Sequence, residues 1–170
     1  MKFAGRVALA VLALITLPLC ALWIAGAALP REHTVRVTRA VAAPPERAWT
    51  AITDVEHASA WRHLDRVELL SRAPLRWREH GEDGELAFIE DAAAREEGRR
   101  FVARIDDTEE RAFGGSWTYL VEAEGEGARV TIIEEGWIEP AIFRTLARWV
   151  WGHEASARAY LDALEAHLSE

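Results

Sequence analysis

Six segments between residues 67 and 138 alternate apolar and polar side chains with period two, and a single amphipathic helix, Pro140 to Leu168, is long enough to cover the face they share. The segments read VELL, LRWRE, ELAFIE, RFVARID, SWTYLVEA and RVTIIEEGWI. The breaks between them, RAP, GEDG, REEG, DDTEERAFGG and GEG, are short and polar, so neighbours pair antiparallel. A strand precedes them in TVRVTRAV, where Val35, Val37 and Val41 alternate with Thr34, Arg36 and Thr38. Pro44 and Pro45 then open a short helix with Glu46 in its first turn, where the helix dipole favours an anion. Asp54 ends that helix and caps a second, VEHASAW. A curved antiparallel sheet has to bury one face. The predicted fold is therefore α+β: a seven-stranded antiparallel sheet around a long C-terminal helix, with two short helices carrying the chain from strand one to the far edge. Phe143, Leu146, Val150, Ala157, Leu161, Leu164 and Leu168 keep one side of the last helix apolar, and Gly152 marks a bend or a close packing within it.

The second constraint is the uncharged run from Val7 to Leu29. At about 1.5 Å per residue it is roughly 34 Å long, against a hydrocarbon core of about 30 Å. This predicts a tail at 1–6, a transmembrane helix at 7–29 and a folded domain at 33–170. A cleaved secretory signal has a shorter apolar region, although AGAALP near the end of the run resembles a cleavage site. Pro18 is tolerated in a membrane helix. Cys20 lies inside the run after the bulky Leu19, which argues against a lipidation site, and one cysteine makes no intrachain disulfide. Basic residues flank both ends, Lys2 and Arg6 before and Arg31, Arg36 and Arg39 after, so the charge bias selects neither side of the membrane for the folded domain. The expected location is a single-pass anchor in a bacterial plasma membrane.

Lys2 and Arg6 are the only charges before Arg31, so the remainder carries 18 basic against 28 acidic side chains, a net charge of −10. That disfavours nucleic acid and anionic lipid surfaces as partners. The chain has no asparagine and no glutamine, so neutral hydrogen bonds to a ligand must come from hydroxyls, histidine, tryptophan or backbone.

The end of strand one with its prolines, VAAPPERAW, the following ITDVEHASAW, and the closing RVTIIEEGWIEPAIFRTLARWVWGHEASARAYLDALEAHL together resemble the START/polyketide cyclase superfamily, often abbreviated SRPBCC, over residues 33 to 170. The resemblance implies a helix-grip fold with a deep cavity. It further implies a ligand drawn from lipids, sterols, polyketides or plant hormones, with cyclisation or hydrolysis in a minority of members. No cofactor is implied.

Alternation alone puts Val67, Leu69, Leu75, Trp77, Leu86, Phe88, Phe101, Ile105, Trp117, Tyr119, Val130 and Ile132 on the inner face, either as pocket wall or as filled core. The expected ligand-binding set is Trp77, Phe88 and Tyr119 from the sheet, Phe143, Leu146 and Trp149 from the helix, and Trp61 at the mouth. Trp23, Trp49 and Trp151 have membrane, helix-packing or surface roles. Glu134 is the one catalytic candidate. Alternation from Val130 and Ile132 points it inward, where it would serve as general acid or base; a register change at Gly136, taken here as the default, would turn it to solvent. Arg144 and Arg148 either pair with Glu134 or Glu135 or are solvated. His57, His63, His80 and His153 lack metal-ligand spacing, so no metal is expected. Ser59, Ser71, Ser116 and Ser156 lack a nucleophile elbow, and FGGS precedes a strand where a phosphate loop needs a helix. The leading expectation is a membrane-tethered binder of a small hydrophobic or amphipathic ligand. A Glu134-dependent cyclase or hydrolase, and a non-catalytic adaptor with an acidic face, are the alternatives.

Overall fold

The computed structural model describes residues 2–82, 84–106 and 111–170, the side chains of 2–10 excepted. The strand preceding the meander is β1 (Glu32–Val41). The period-two segments form β2 (Arg66–Arg72), β3 (Leu75–Gly81), β4 (Gly84–Glu90), β5 (Arg100–Ile105), β6 (Phe113–Glu124) and β7 (Gly127–Ile138). They make one antiparallel sheet in the order β1-β7-β6-β5-β4-β3-β2. β1 and β2 are thus opposite edges, and the chain passes between them through helix α2 (Pro45–Thr53) and a 3-10 turn, Val55–Ala60. Pro45 starts α2, and Ala48, Trp49 and Ile52 are its buried face. Part of the polar connection before β6, residues 107–110, lies outside the described residues.

Helix α4 (Ala155–Leu168) covers the concave face, burying Ala157, Tyr160, Leu161, Leu164 and Leu168 against the sheet. Every inner-face position expected from alternation is buried or half-buried, with Phe101, Val130 and Ile132 essentially inaccessible. Period two is enough to set this face, because successive side chains on a strand point to opposite sides.

The C-terminal helix differs from expectation. It is not continuous: α3 (Ala141–Leu146) runs into a π-helical turn, Ala147–Trp151, and breaks at Gly152, whose φ of +79° suits glycine before α4 begins. The part before the break leaves the grip and packs on the N-terminal helix α1 (Lys2–Ala27). Thr145 donates to the Leu22 carbonyl (2.8 Å), and Arg144 donates from Nε to the Gly26 carbonyl (2.9 Å) and from Nη1 to the carbonyls of Ile138 and Glu139. A Cβ on Gly26 would lie 1.7 Å from the Ala141 carbonyl oxygen, so only glycine permits this crossing. Arg144 therefore closes the C-terminal end of α1 and does not pair with Glu134 or Glu135, the arrangement considered from sequence.

The helical backbone of α1 begins at Lys2, inside the stretch expected as a tail, while the side chains of Lys2 and Arg6 lie outside the described residues. Among the described residues no helix is long and apolar enough to cross a membrane. From Val11 on, the large apolar side chains of α1 are mostly exposed around the helix, Leu14 at 77% and Leu17 at 68%.

Candidate functional site

The inner face of β3 to β6 is aromatic, and its rings form a connected series. Trp77 stacks on its cross-strand partner Phe88 (ring centroids 5.5 Å apart) and on Phe101 (6.2 Å); Phe101 meets its own partner Tyr119 (5.9 Å). Tyr119 continues to Tyr160 on α4 (5.1 Å), which also meets Trp117 and, edge-on, Trp61. Four of the expected ligand residues, Trp61, Trp77, Phe88 and Tyr119, are thus brought together. The rings, together with Leu161 and Leu164, occupy the space between sheet and helix in which a deep cavity was expected.

A polar cluster is set into this aromatic wall. Arg62, just after the 3-10 turn, makes a bidentate ion pair with Glu79 of β3 (2.5 and 2.8 Å), and its guanidinium lies 4.9 Å over the Tyr160 ring. Trp77 donates its indole N–H to the same carboxylate (3.1 Å). Burial opposes the charge on Arg62, but Glu79 more than compensates and holds the guanidinium charged. Alternation could not have found this pair. Glu79 shares the inner side of β3 with Trp77, but Arg62 lies in an irregular segment with no period, so only the fold pairs it with Glu79.

Burial pushes the Tyr119 and Tyr160 hydroxyls well above the ordinary phenol range of about 10. These are the only two tyrosines in the chain. The folded state therefore keeps two protons that the unfolded chain loses above about pH 10, and this contribution to stability, full below that pH, is lost as the pH rises further. Alkaline titration followed by phenolate absorbance is expected to show no step near pH 10 in the folded protein, only a rise that coincides with unfolding. A reversible step near pH 10 with the fold intact would place at least one hydroxyl in water.

Clefts open on both faces of the sheet. One, about 800 Å³, is lined by the Arg62–Glu79 pair, by Leu64, Leu86 and Phe113, and by the carboxylates of Asp65, Glu82 and Glu85. A second, about 400 Å³, lies between α2 and the end of α4 beside Trp61 and His167, and a third, about 500 Å³, runs along β5 to β7 past Arg104 and Trp137.

The remaining expected residues lie elsewhere. Phe143 and Trp149 are exposed (48% and 61%) and Leu146 is half-buried, all on the α3 side of the break at Gly152. They stay out of the aromatic cluster because the helix that was to carry them across the sheet does not continue. Glu134 faces inward, opposite Val35 and Trp117, because β6 and β7 pair without a register shift at Gly136. Gly136, with no side chain, leaves room for the His33 ring, which a Cβ there would meet at 2.7 Å. His33 Nε2 lies 3.3 Å from Glu134 and its ring stacks on His153 (4.3 Å). Burial, then the neighbouring His33, moves the His153 imidazole below its usual value. None of the three clefts is lined by Glu134. Among the described residues no group of three or more His, Cys, Asp or Glu is arranged to hold a metal ion.

A sequence model for polyketide cyclase/dehydrase and lipid transport proteins matches residues 32–169, almost the whole of the folded domain. The chain belongs to this family. Solved structures of the same fold include TTHA0849 from Thermus thermophilus, 23% identical with a TM-score of 0.61 over 81% of this chain and 97% of that one. A START superfamily protein from Mycobacterium smegmatis is 17% identical with a TM-score of 0.63 over 81% and 97%. The di-domain ARO/CYC StfQ of the steffimycin biosynthetic pathway is 14% identical with a TM-score of 0.65, this chain spanning 51% of it. No curated protein matches the chain. Within the polyketide cyclase and lipid transport family the fold is common property, and the site distinguishes members. In this member the candidate site is the Arg62–Glu79 pair on its aromatic wall.

Proposed function

We propose that this family member binds a small hydrophobic or amphipathic ligand in the cleft above the Arg62–Glu79 pair, and that the apolar run in α1 tethers the domain to a membrane. One observation carries the binding reading: the cleft of about 800 Å³ sets three apolar side chains, Leu64, Leu86 and Phe113, beside the hydrogen-bonding Arg62–Glu79 pair, with Asp65, Glu82 and Glu85 around them. Its volume falls in the roughly 300–1,000 Å³ range of small-molecule sites. The apolar body of a ligand would lie against the leucines and Phe113, and its polar end against the ion pair. The family's description, polyketide cyclase/dehydrase and lipid transport, supports a ligand of this type. Support for the tether is the uncharged run from Val7 to Leu29.

The test uses the full chain in phosphatidylcholine nanodiscs with 1-anilinonaphthalene-8-sulfonate, an apolar ring system with an anionic end. Saturable binding to one site is expected, displaceable by long-chain fatty acid, and Leu86→Asp should weaken it at least about tenfold, the 1.4 kcal/mol equivalent of one apolar wall. Equal binding by wild type and variant, or no saturable binding at all, overturns the reading. The cyclase- or hydrolase-like alternative draws on the half-buried Glu134–His33 pair, a carboxylate and imidazole in contact. It is the weaker reading, since neither residue lines a described cleft.

A further inference from the structure

Of residues 148–156, which lie between the buried Ala147 and the buried Ala157, all but His153 are exposed. His153 is half-buried because its ring stacks on that of His33 at the start of β1, with centroids 4.3 Å apart and planes 30° from parallel. Gly152, immediately before it, has φ +79°, a conformation that glycine adopts freely and that turns the chain back toward the sheet. The flanking segments are secured by other means. Arg144 and Thr145 bond to the α1 backbone, and Leu161 and Leu164 of α4 are buried in the core.

The ring that makes this contact is titratable, and so is its partner. Glu134 of β7 lies against His33 (3.3 Å), Arg148 acts on His153 from the turn before it, and the neighbouring Glu154 is taken up by Arg158 (2.9 Å). A proton on His153 therefore meets a partly enclosed site, a second imidazole stacked on it and a guanidinium, opposed by the Glu134 carboxylate. Burial is the largest of these effects and His33 the next, and together they hold the His153 imidazole below its usual range. The neutral ring suits the stack, whereas the charged ring is better placed in water. With the turn open, His153 takes up a proton near the ordinary value of about 6.5. The closed turn is then at full stability above that pH and loses it as the pH falls through the lower value of the stacked ring.

We propose that the His33–His153 stack is an acid-released latch: the neutral ring fastens residues 148–156 to the sheet, and a proton on His153 lets them swing out on Gly152. With α3 fixed on α1 and α4 fixed in the grip, the movement is confined to the turn between them. Release separates His153 from the inward, half-buried His33–Glu134 pair and opens that pair to water. The device needs two imidazoles and a hinge, so it stands apart from both the tether and the cleft.

The test follows amide hydrogen exchange of the full chain in detergent micelles by mass spectrometry at about pH 7.5 and about pH 5, on either side of the imidazole range, with each rate divided by its intrinsic value at that pH. Protection of peptides covering residues 148–156 is expected to fall at least about fivefold at the lower pH, while peptides from α4 and β7 change less than about twofold. His153→Phe keeps a ring for the stack and removes the titration, so its protection is expected to be the same at both pH values. An unchanged wild type overturns the latch, and this comparison needs no variant to fold. An equal acid loss in His153→Phe assigns the effect to another group and also overturns it. A fall shared by α4 and β7 is general loosening in acid, which refutes a local device.

Discussion

Arg62→Met is expected to lower the free energy of unfolding by about 3 kcal/mol, because it leaves the Glu79 carboxylate half-enclosed by aromatic rings with, among the described residues, only the Trp77 indole still donating to it. The side chains of Arg62 and Glu79 are 21% and 11% exposed, so water screens little of this loss. The second variant that makes the prediction specific is Arg62→Met/Glu79→Met. Removing both charges replaces an ion pair by apolar volume, which costs far less than stranding one partner. The double variant is therefore expected to recover most of the stability lost in Arg62→Met, in urea unfolding of the full chain in detergent micelles. If the single variant loses less than about 1 kcal/mol, the pair behaves as an exposed surface salt bridge. The polar side of the cleft would then be flexible and wet.

Phe101→Ala is expected to cost about 4 kcal/mol, within the range of buried phenylalanine truncations. Phe101 is 1% exposed and touches rings on both sides, Trp77 and Tyr119, while the Arg95 guanidinium lies 5.9 Å from its ring. The aromatic wall around it is built from four strands and α4, so it collapses poorly into the space left behind. The same measurement tests whether the grip is filled. A loss below about 1.5 kcal/mol would mean that the interior already contains room, and that the deep cavity implied by the resemblance exists after all. A full loss, with benzene binding gained by the variant, would show that the phenyl ring occupied that room.

The two variants bear on different halves of the site. Phe101 belongs to a wall that alternation alone is enough to name, whereas Arg62 belongs to a pair that alternation misses. The distinction runs through the whole chain. Trp77, Phe88, Phe101 and Tyr119 are inward because strand geometry repeats every two residues, a rule that acts within a few residues and can be read directly. The turns at Pro44–Pro45 and the short helices after β1 are equally local, set by backbone restrictions on proline and by dipole preferences at helix starts. The family pattern over residues 33–170 is a sum of such local features, which is why it is recognisable.

The break at Gly152 is visible as a glycine in a helical pattern, but its outcome is not. Whether a helix bends or divides depends on what each half packs against, and Arg144 and Thr145 find their partners at Gly26 and Leu22, more than a hundred residues away. That contact moves Phe143, Leu146 and Trp149 from the expected pocket wall to the side of α1. Glu134 is placed inward by alternation and outward by an expected bulge. The uninterrupted pairing of β6 with β7 decides for alternation, because cross-strand hydrogen bonds, and not the glycine alone, determine whether a register shifts.

The order of elements, the inner face of the sheet and the apolar character of α1 were determined by the amino-acid sequence alone, since each follows from spacing along the chain. The pairing of Arg62 with Glu79, the filling of the grip by aromatic rings and the docking of α3 on α1 were decided by the tertiary structure. They depend on which distant groups meet once hydrogen bonds and buried charges have to be satisfied in three dimensions, and spacing along a chain carries no record of that.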